Sequence, residues 1–219
     1  MKISLLGGTG DIAEGLVLRW SKLGHEIFIG SRSEEKAIGI ASQYIEKLTN
    51  MGIKPKIHGM PNAEAAKESE VVIISIPAEY AVATVEGVRD NLSNQIVVTP
   101  VVPMAKRGKA FYYTPPSIGS AALEINGVIP EGVKLVSAFH NLPAKELSNI
   151  DLDLDYDVVI CGDDDESKNV IKHLTEEIPN LRTLDAGPLD VSSMIEAITP
   201  LIVNLNVRYK PMHFSVKFI

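Results

Sequence analysis

The segment Lys2-Ile3-Ser4-Leu5-Leu6 runs directly into Gly7-Gly8-Thr9-Gly10-Asp11-Ile12-Ala13, and this junction decides the fold. A short apolar run, a cluster of glycines and then a helical pattern read as strand, tight turn and helix. Gly8, Gly10 and Ala13 match G-x-G-x-x-A. In that spacing the first glycine allows the tight turn and the second lets the backbone approach a pyrophosphate. The small third residue lets helix and strand pack closely. Phosphates would lie over the helix N-terminus, where free N–H groups and the helix dipole favour anions. A merely Gly-rich turn is the alternative. Its placement in a strand–helix–strand unit favours the dinucleotide.

Outward from the turn, strand-like and helix-like segments alternate, which signals a parallel α/β sheet. Helical patterning over residues 11–23 ends at Gly24, and residues 26–30 form a second strand. Ser33 with Glu34, Glu35 and Lys36 opens a helix to about residue 51 as an N-cap with acids in the first turn. Further strands are expected at 56–58, 71–76, 95–102, 134–139, 158–161 and 181–184. Helices are expected at 62–68, 77–92, 164–178 and 190–207, the last kinked at Pro200. Residues 105–132 are rich in Gly, Pro and Ser and should hold loops and one short helix. The texture changes near residue 145, so the expected division is a nucleotide-binding unit over 1–144 and a small C-terminal αβ unit over 145–219.

Composition narrows the function classes. The 219 residues are 45% apolar and 22% charged, which is ordinary globular usage and excludes disorder or a collagen-like repeat. Lysine and arginine number 21 against 28 aspartates and glutamates, for a net charge of -7. That balance argues against a nucleic-acid partner. Cys161 is the single cysteine, so no intramolecular disulfide forms, in keeping with a reducing cytosol. No apolar run approaches the roughly 20 residues of a membrane span. The apolar start is cut at Gly7 and Gly8, too early for a signal peptide. A cytoplasmic protein is expected, with no membrane partner.

The second strand ends Gly30-Ser31-Arg32, with Lys36 one helical turn on. An NAD site would place a carboxylate there for the ribose hydroxyls. A hydroxyl and two cations suit a 2′-phosphate instead, because guanidinium pairs bidentately with it. NADP is therefore favoured over NAD, the alternative being that Arg32 and Lys36 are solvated or paired with Glu34 or Glu35. Two more strand ends would border the cofactor, Ser75-Ile76-Pro77 with Tyr80 behind it and Thr99-Pro100-Val101-Val102-Pro103; their prolines equally serve simply to end strands.

Acid–base machinery is not evident. No tyrosine has lysine four residues later, and neither G-x-S-x-G nor a phosphate-binding G-x-x-x-x-G-K occurs. The five histidines lack metal-ligand spacing. The acids Asp163, Asp164 and Asp165 open a helix, where capping explains them better than a metal does. Only His140, in Ser137-Ala138-Phe139-His140-Asn141-Leu142-Pro143-Ala144, is placed for function, and a structural histidine is the competing reading. A dinucleotide site without acid–base groups suits hydride passed between two carrier rings, with the protein supplying orientation.

The chain resembles the NADPH-dependent reductases of the deazaflavin coenzyme F420, the F420H2:NADP oxidoreductases, over nearly its whole length. The resemblance rests on Leu5 to Gly10, Gly24-His25-Glu26, Gly30-Ser31-Arg32, Glu35-Lys36 and Thr99 to Pro103. It rests further on Ser137-Ala138-x-His140, the run Cys161 to Lys168, Leu184 to Leu189 and Thr199 to Ile202. It implies that Thr9, Gly10, Asp11, Ile12, Ser31, Arg32 and Lys36 bind NADP, with Ile76, Tyr80, Val102 and Ala144 lining the rest of the groove. It implies also that His140, Leu142 and Thr199 surround the stacked rings in a cleft between the two units. Asp11 departs from the usual Asn, putting an acid near the pyrophosphate unless its carboxylate caps the helix. Residues 38–56 form a longer stretch than the pattern has, which should only lengthen a helix or loop. Lys106, Arg107 and Lys109 either meet the anionic tail of F420 or form a solvated loop.

Together these readings give an α/β, Rossmann-type parallel sheet with helices on both faces and a small C-terminal αβ extension. The expected activity is reversible hydride transfer between reduced F420 and NADP, with no metal and no nucleophile. The expected assembly is a homodimer or higher homo-oligomer, the apolar helix at 190–207 packing on a second subunit or closing the core. Two rivals stay open, an imine or 3-hydroxyacid reductase on the same fold and a non-catalytic NADP-sensing regulator.

Overall fold

The computed structural model describes every residue except Thr9, and the backbone but not the side chain of Asp11. The first half runs β1 (Lys2–Leu6), α1 (Asp11–Lys22), β2 (Glu26–Ser31), α2 (Glu34–Asn50), β3 (Lys56–Pro61), α3 (Asn62–Glu68), β4 (Val71–Ile74), α4 (Ala78–Val88) and β5 (Ile96–Thr99). After β6 (Met104–Arg107) and β7 (Ala110–Tyr113) come α5 (Ala121–Asn126), β8 (Lys134–Ser137), α6 (Ala144–Ser148), β9 (Tyr156–Gly162), α7 (Asp165–Glu176), β10 (Leu181–Asp185) and α8 (Ser192–Arg208).

Eight strands form one sheet in the order β10-β9-β8-β5-β4-β1-β2-β3. The six from β8 to β3 are all parallel, whereas β9 runs antiparallel to β8 and β10 follows β9. Strand order reverses between β1 and β4, and open α/β sheets bind ligands outside the carboxyl ends of strands at such a point. The strands on either side are buried on both faces, which explains runs such as Val71-Val72-Ile73-Ile74, all 0% exposed. One face packs Leu16, Trp20, Tyr44, Leu48, Leu147 and Ile171 from α1, α2, α6 and α7. The other packs Ala65, Ala81, Val85 and Ile125 from α3, α4 and α5.

Several details depart from the sequence expectation. Residues 105–132 do hold one short helix, α5, but Met104–Arg107 and Ala110–Tyr113 pair as an antiparallel hairpin turning at Gly108, φ +61°. The charged tip disguised it, because Lys106, Arg107 and Lys109 remove the alternation that marks a strand. The strand expected over 95–102 stops at Thr99, where the Thr99 hydroxyl accepts from the Val101 amide at 3.2 Å and turns the chain. The strand expected to reach Phe139 stops at Ser137, and α6 was not anticipated. The last helix continues as one element through buried Pro200. Past it the chain folds back, so that the Asp157 amide donates to the Val216 carbonyl at 2.9 Å and the Phe218 amide to the Asp157 carboxylate at 2.6 Å. Arg182 grips the same buried carboxylate at 2.7 and 2.6 Å and holds it below the usual carboxylate range. No helix of the described residues is long and apolar enough to cross a membrane.

Candidate active site

The glycine turn is fastened to the end of β2, where the Gly7 amide donates to the Gly30 carbonyl at 3.0 Å. The left-handed residue is Gly7, at φ +67°, rather than Gly8 as the motif spacing suggests. A Cβ on Gly7 would lie 2.1 Å from the Ile76 side chain, and one on Gly8 would lie 2.9 Å from the Leu5 carbonyl. Gly7 therefore makes the turn and Gly8 allows close packing beneath it. Gly10 is different, since a Cβ there would meet nothing within 4 Å. It leaves open space at the start of α1 and brings no side-chain cap to the helix's first N–H groups. Tyr44, on α2, steadies the turn by donating to the Gly8 carbonyl at 3.3 Å.

Two clefts meet at this turn, separated by the Ser75-Ile76-Pro77 ridge that closes β4. One, of about 590 Å³, gathers Gly10, Ser31, Arg32, Lys36, Ile76 and Tyr80. Arg32 and Lys36 are exposed there, and among the described residues neither forms an ion pair with Glu34 or Glu35. Arg32 instead lies over the Tyr80 ring, 5.8 Å from its centroid. The Ser31 hydroxyl accepts from the Ser33 amide at 3.2 Å, and Ser33 caps α2 through the Lys36 amide at 3.3 Å, so the cationic corner is built by local hydrogen bonds. The other cleft, of about 690 Å³, gathers Gly10, Ile12, Ile76, Val102, His140, Leu142, Ala144 and Thr199. Every expected site residue thus lies in one cleft or the other, apart from Gly8 beneath the turn, Thr9, which is outside the described residues, and Asp11, whose side chain is. Whether Asp11 caps α1 is likewise outside them.

The second cleft is built around a strained turn. Phe139 follows β8 at φ +71°, a left-handed conformation that a bulky side chain adopts only when its surroundings impose it. Its ring packs edge to face against Trp20 of α1, the centroids 5.9 Å apart. His140 is carried into the cleft, 6% exposed, with Nε2 3.4 Å from the Ser137 hydroxyl. Burial pushes its imidazole down to about 3, so it is neutral at ordinary pH. Thr199, on α8, donates to the His140 carbonyl at 2.9 Å. The loop beyond is anchored by Arg19 on α1, which donates to the carbonyls of Leu147, Asn149 and Leu152 at 2.8, 2.7 and 2.9 Å. Asn204 ties the hairpin to α8 by pairing with both backbone groups of Phe111, at 2.7 and 2.8 Å.

Sequence reasoning missed Asn62, Met104, Val203 and Asn206, which also line the clefts. An Asn opening a helix after Pro61 reads as a cap, and the α8 residues carry no motif. The Asn62 Oδ1, Ser75 hydroxyl and His140 Nδ1, all on residues that line the clefts, are buried with no hydrogen-bond partner among the described residues. Elsewhere, Asp164 does cap α7, accepting from the Ser167 amide at 2.8 Å, and Asp163 accepts from the Leu189 amide at 2.9 Å.

Comparison with known proteins accords with this arrangement. Residues 2–103 match the family model described as NADP oxidoreductase, coenzyme F420-dependent. A protein of Methanocaldococcus jannaschii named F420-dependent NADP reductase is 42% identical over 212 residues, covering 96% of this chain and 94% of its own. One of the same name from Methanothermobacter marburgensis is 36% identical, covering 99% and 97%. A solved chain from Arthrobacter sp. FB24 covers 100% of both chains with a TM-score of 0.82 at 22% identity, which speaks to the fold. The pairing of a cationic corner with an apolar second cleft therefore stands in a chain that belongs to the F420-dependent NADP reductase family.

Proposed function

We propose that this protein is an oxidoreductase that passes a hydride reversibly between reduced coenzyme F420 and NADP, and that residues 145–219 form the far wall of the F420 cleft. The observation that carries the reading is the meeting of the two clefts at Gly10 and the Ser75-Ile76-Pro77 ridge. When bound, NADP and the deazaflavin supply the two carbon centres between which the hydride moves. The protein's part is to hold and orient. Arg32, Lys36 and Ser31 take the 2′-phosphate, and the first turn of α1 beyond Gly10 takes the pyrophosphate. Ile76, Val102 and Ala144 line the passage between the clefts, with Tyr80 beside Arg32 at the 2′-phosphate end. His140, Leu142 and Thr199 fix the ring plane, and neutral His140 offers a hydrogen bond without a proton to give up. The apolar walls keep water from the reacting faces.

The basic hairpin tip, Lys106, Arg107 and Lys109, extends the wall beyond Met104 toward the anionic tail of F420. Exposed Met194 and Leu201 on α8, 71% and 58% accessible, make that helix the face for a homo-oligomer, and the cytosol is the compartment. The test is absorbance at 420 nm with NADPH and oxidised F420. Bleaching that requires the protein supports the reading, and binding of NADPH without bleaching contradicts it.

A further inference from the structure

Glu196 is 0% exposed and lines neither cleft. Burying a carboxylate is costly unless its oxygens are hydrogen-bonded, and three donors meet this one. The Tyr113 hydroxyl donates at 2.7 Å, the Ala121 amide at 3.1 Å and the Ala122 amide at 3.0 Å. The Gly119 carbonyl lies farther from the same hydroxyl, at 3.3 Å. The carboxylate therefore joins three elements: β7 through Tyr113, α5 through its first two amides, and α8, on which it stands.

Two of those elements wall the second cleft. On α8, Thr199, Val203 and Asn206 follow Glu196 at i+3, i+7 and i+10, the spacing of one helix face, and all three line the cleft. On the hairpin, Tyr113 stands directly opposite Met104 across the strand pair, so the two side chains share a face. Met104 lines the same cleft. The Thr114 amide donates to the Pro103 carbonyl at 2.9 Å and carries the pairing to the open end of the hairpin. Through Tyr113, Glu196 thus ties the Met104 wall to the α8 wall.

We propose that Glu196 is a positioning residue for the second cleft: by holding Tyr113 it fixes the separation of Met104 from α8, and with it the fit of the deazaflavin. This inference rests on the proposed placement of F420 in that cleft. Arg32 and Lys36 lie in the other cleft, so the main hold on NADP is independent of the link.

The experiment first asks whether native protein bleaches F420 with NADPH; no bleaching overturns the underlying reading and this inference with it. The KM for F420, kcat, the dissociation constant for NADPH and the melting temperature are then compared between native protein and variants. Glu196→Leu removes the link, whereas Glu196→Gln keeps a polar group for Tyr113 and an acceptor for one amide. Tyr113→Phe removes the hydroxyl alone. The expected result is that Glu196→Leu and Tyr113→Phe raise the KM for F420 roughly three- to tenfold. Both should leave kcat and NADPH affinity nearly unchanged, and Glu196→Gln should stay close to native. Met104→Ala should show a similar selective loss, and adding Tyr113→Phe to it should cost little more, because both changes act on one wall. Parallel loss of F420 and NADPH affinity, in step with the melting temperature, would mean that Glu196 serves only the fold and would overturn the proposal. A native KM in Tyr113→Phe, or full additivity with Met104→Ala, would overturn it as well. Should Glu196→Leu not fold, Tyr113→Phe and its combination with Met104→Ala decide the matter alone.

Discussion

Thr199 Oγ1 reaches the His140 carbonyl at 2.9 Å, across 59 residues of sequence, and is the hydrogen bond that joins α8 to the strained turn after β8. Removing the hydroxyl without changing shape isolates that link. Thr199→Val should lower the rate of hydride transfer several-fold to about tenfold, because the loss of a buried hydrogen bond amounts to roughly 1–3 kcal/mol and here acts on ring alignment. Affinity for NADP should change little, since Arg32 and Lys36 lie in the other cleft. Stopped-flow rates beside binding titrations make the comparison, and an unchanged rate removes Thr199 from the site.

The imidazole of His140 is pushed down to about 3 by burial, from an ordinary value of 6.5. The unfolded chain therefore binds a proton near pH 6.5 that the folded chain refuses until about pH 3. Stability is full above pH 6.5 and falls as pH drops toward 3, at most about 1.4 kcal/mol per pH unit from this one group. Denaturant midpoints between pH 7 and 4 should show that slope, and His140→Gln should flatten it. The hydride rate itself should show no inflection near pH 6.5. An inflection there that His140→Gln abolishes would mean the imidazole titrates in the working enzyme.

Arg32 stands exposed over Tyr80 without a carboxylate partner among the described residues. Arg32→Ala should weaken NADP by roughly ten- to hundredfold, the usual range for a lost charge-assisted contact of about 1.5–3 kcal/mol. The rate at saturating NADP should be nearly intact, and the weak binding of NAD should not fall. Titration with both nucleotides, against saturated turnover, reads the split; equal loss of both nucleotides would detach Arg32 from the 2′-phosphate.

Gly15 lets α1 lie against α6, since a Cβ there would come within 2.5 Å of Leu147 Cγ. An alanine in a helix ordinarily gains up to about 1 kcal/mol over glycine, and here overpacking of about 1–3 kcal/mol opposes it. Gly15→Ala should lower the melting temperature by up to about 8 °C. A higher melting temperature would show that α6 yields without cost.

How much of this was legible in the sequence follows from how local each feature is. The β1–turn–α1 junction and the Ser31-Arg32-Lys36 corner depend on residues within a few positions of one another, so spacing alone placed them. Phe139 could not be read this way, because no local signal marks its φ of +71° and its ring packs on Trp20, 119 positions earlier. The hairpin was hidden by its charged tip, and its attachment depends on Asn204, some 93 residues on. The polar side chains of Asn62, Ser75 and Asn141 look like ordinary surface or capping residues until the fold buries their oxygens.

In the proposed function the hydride moves directly from ring to ring while the protein contributes no proton. The decisive experiment reacts NADPH carrying deuterium at the transferred C4 position with oxidised F420 in ordinary water. The deuterium should be recovered in full at C5 of the reduced deazaflavin. Deuterium lost to solvent would contradict it and would point to a protein group taking part in the transfer.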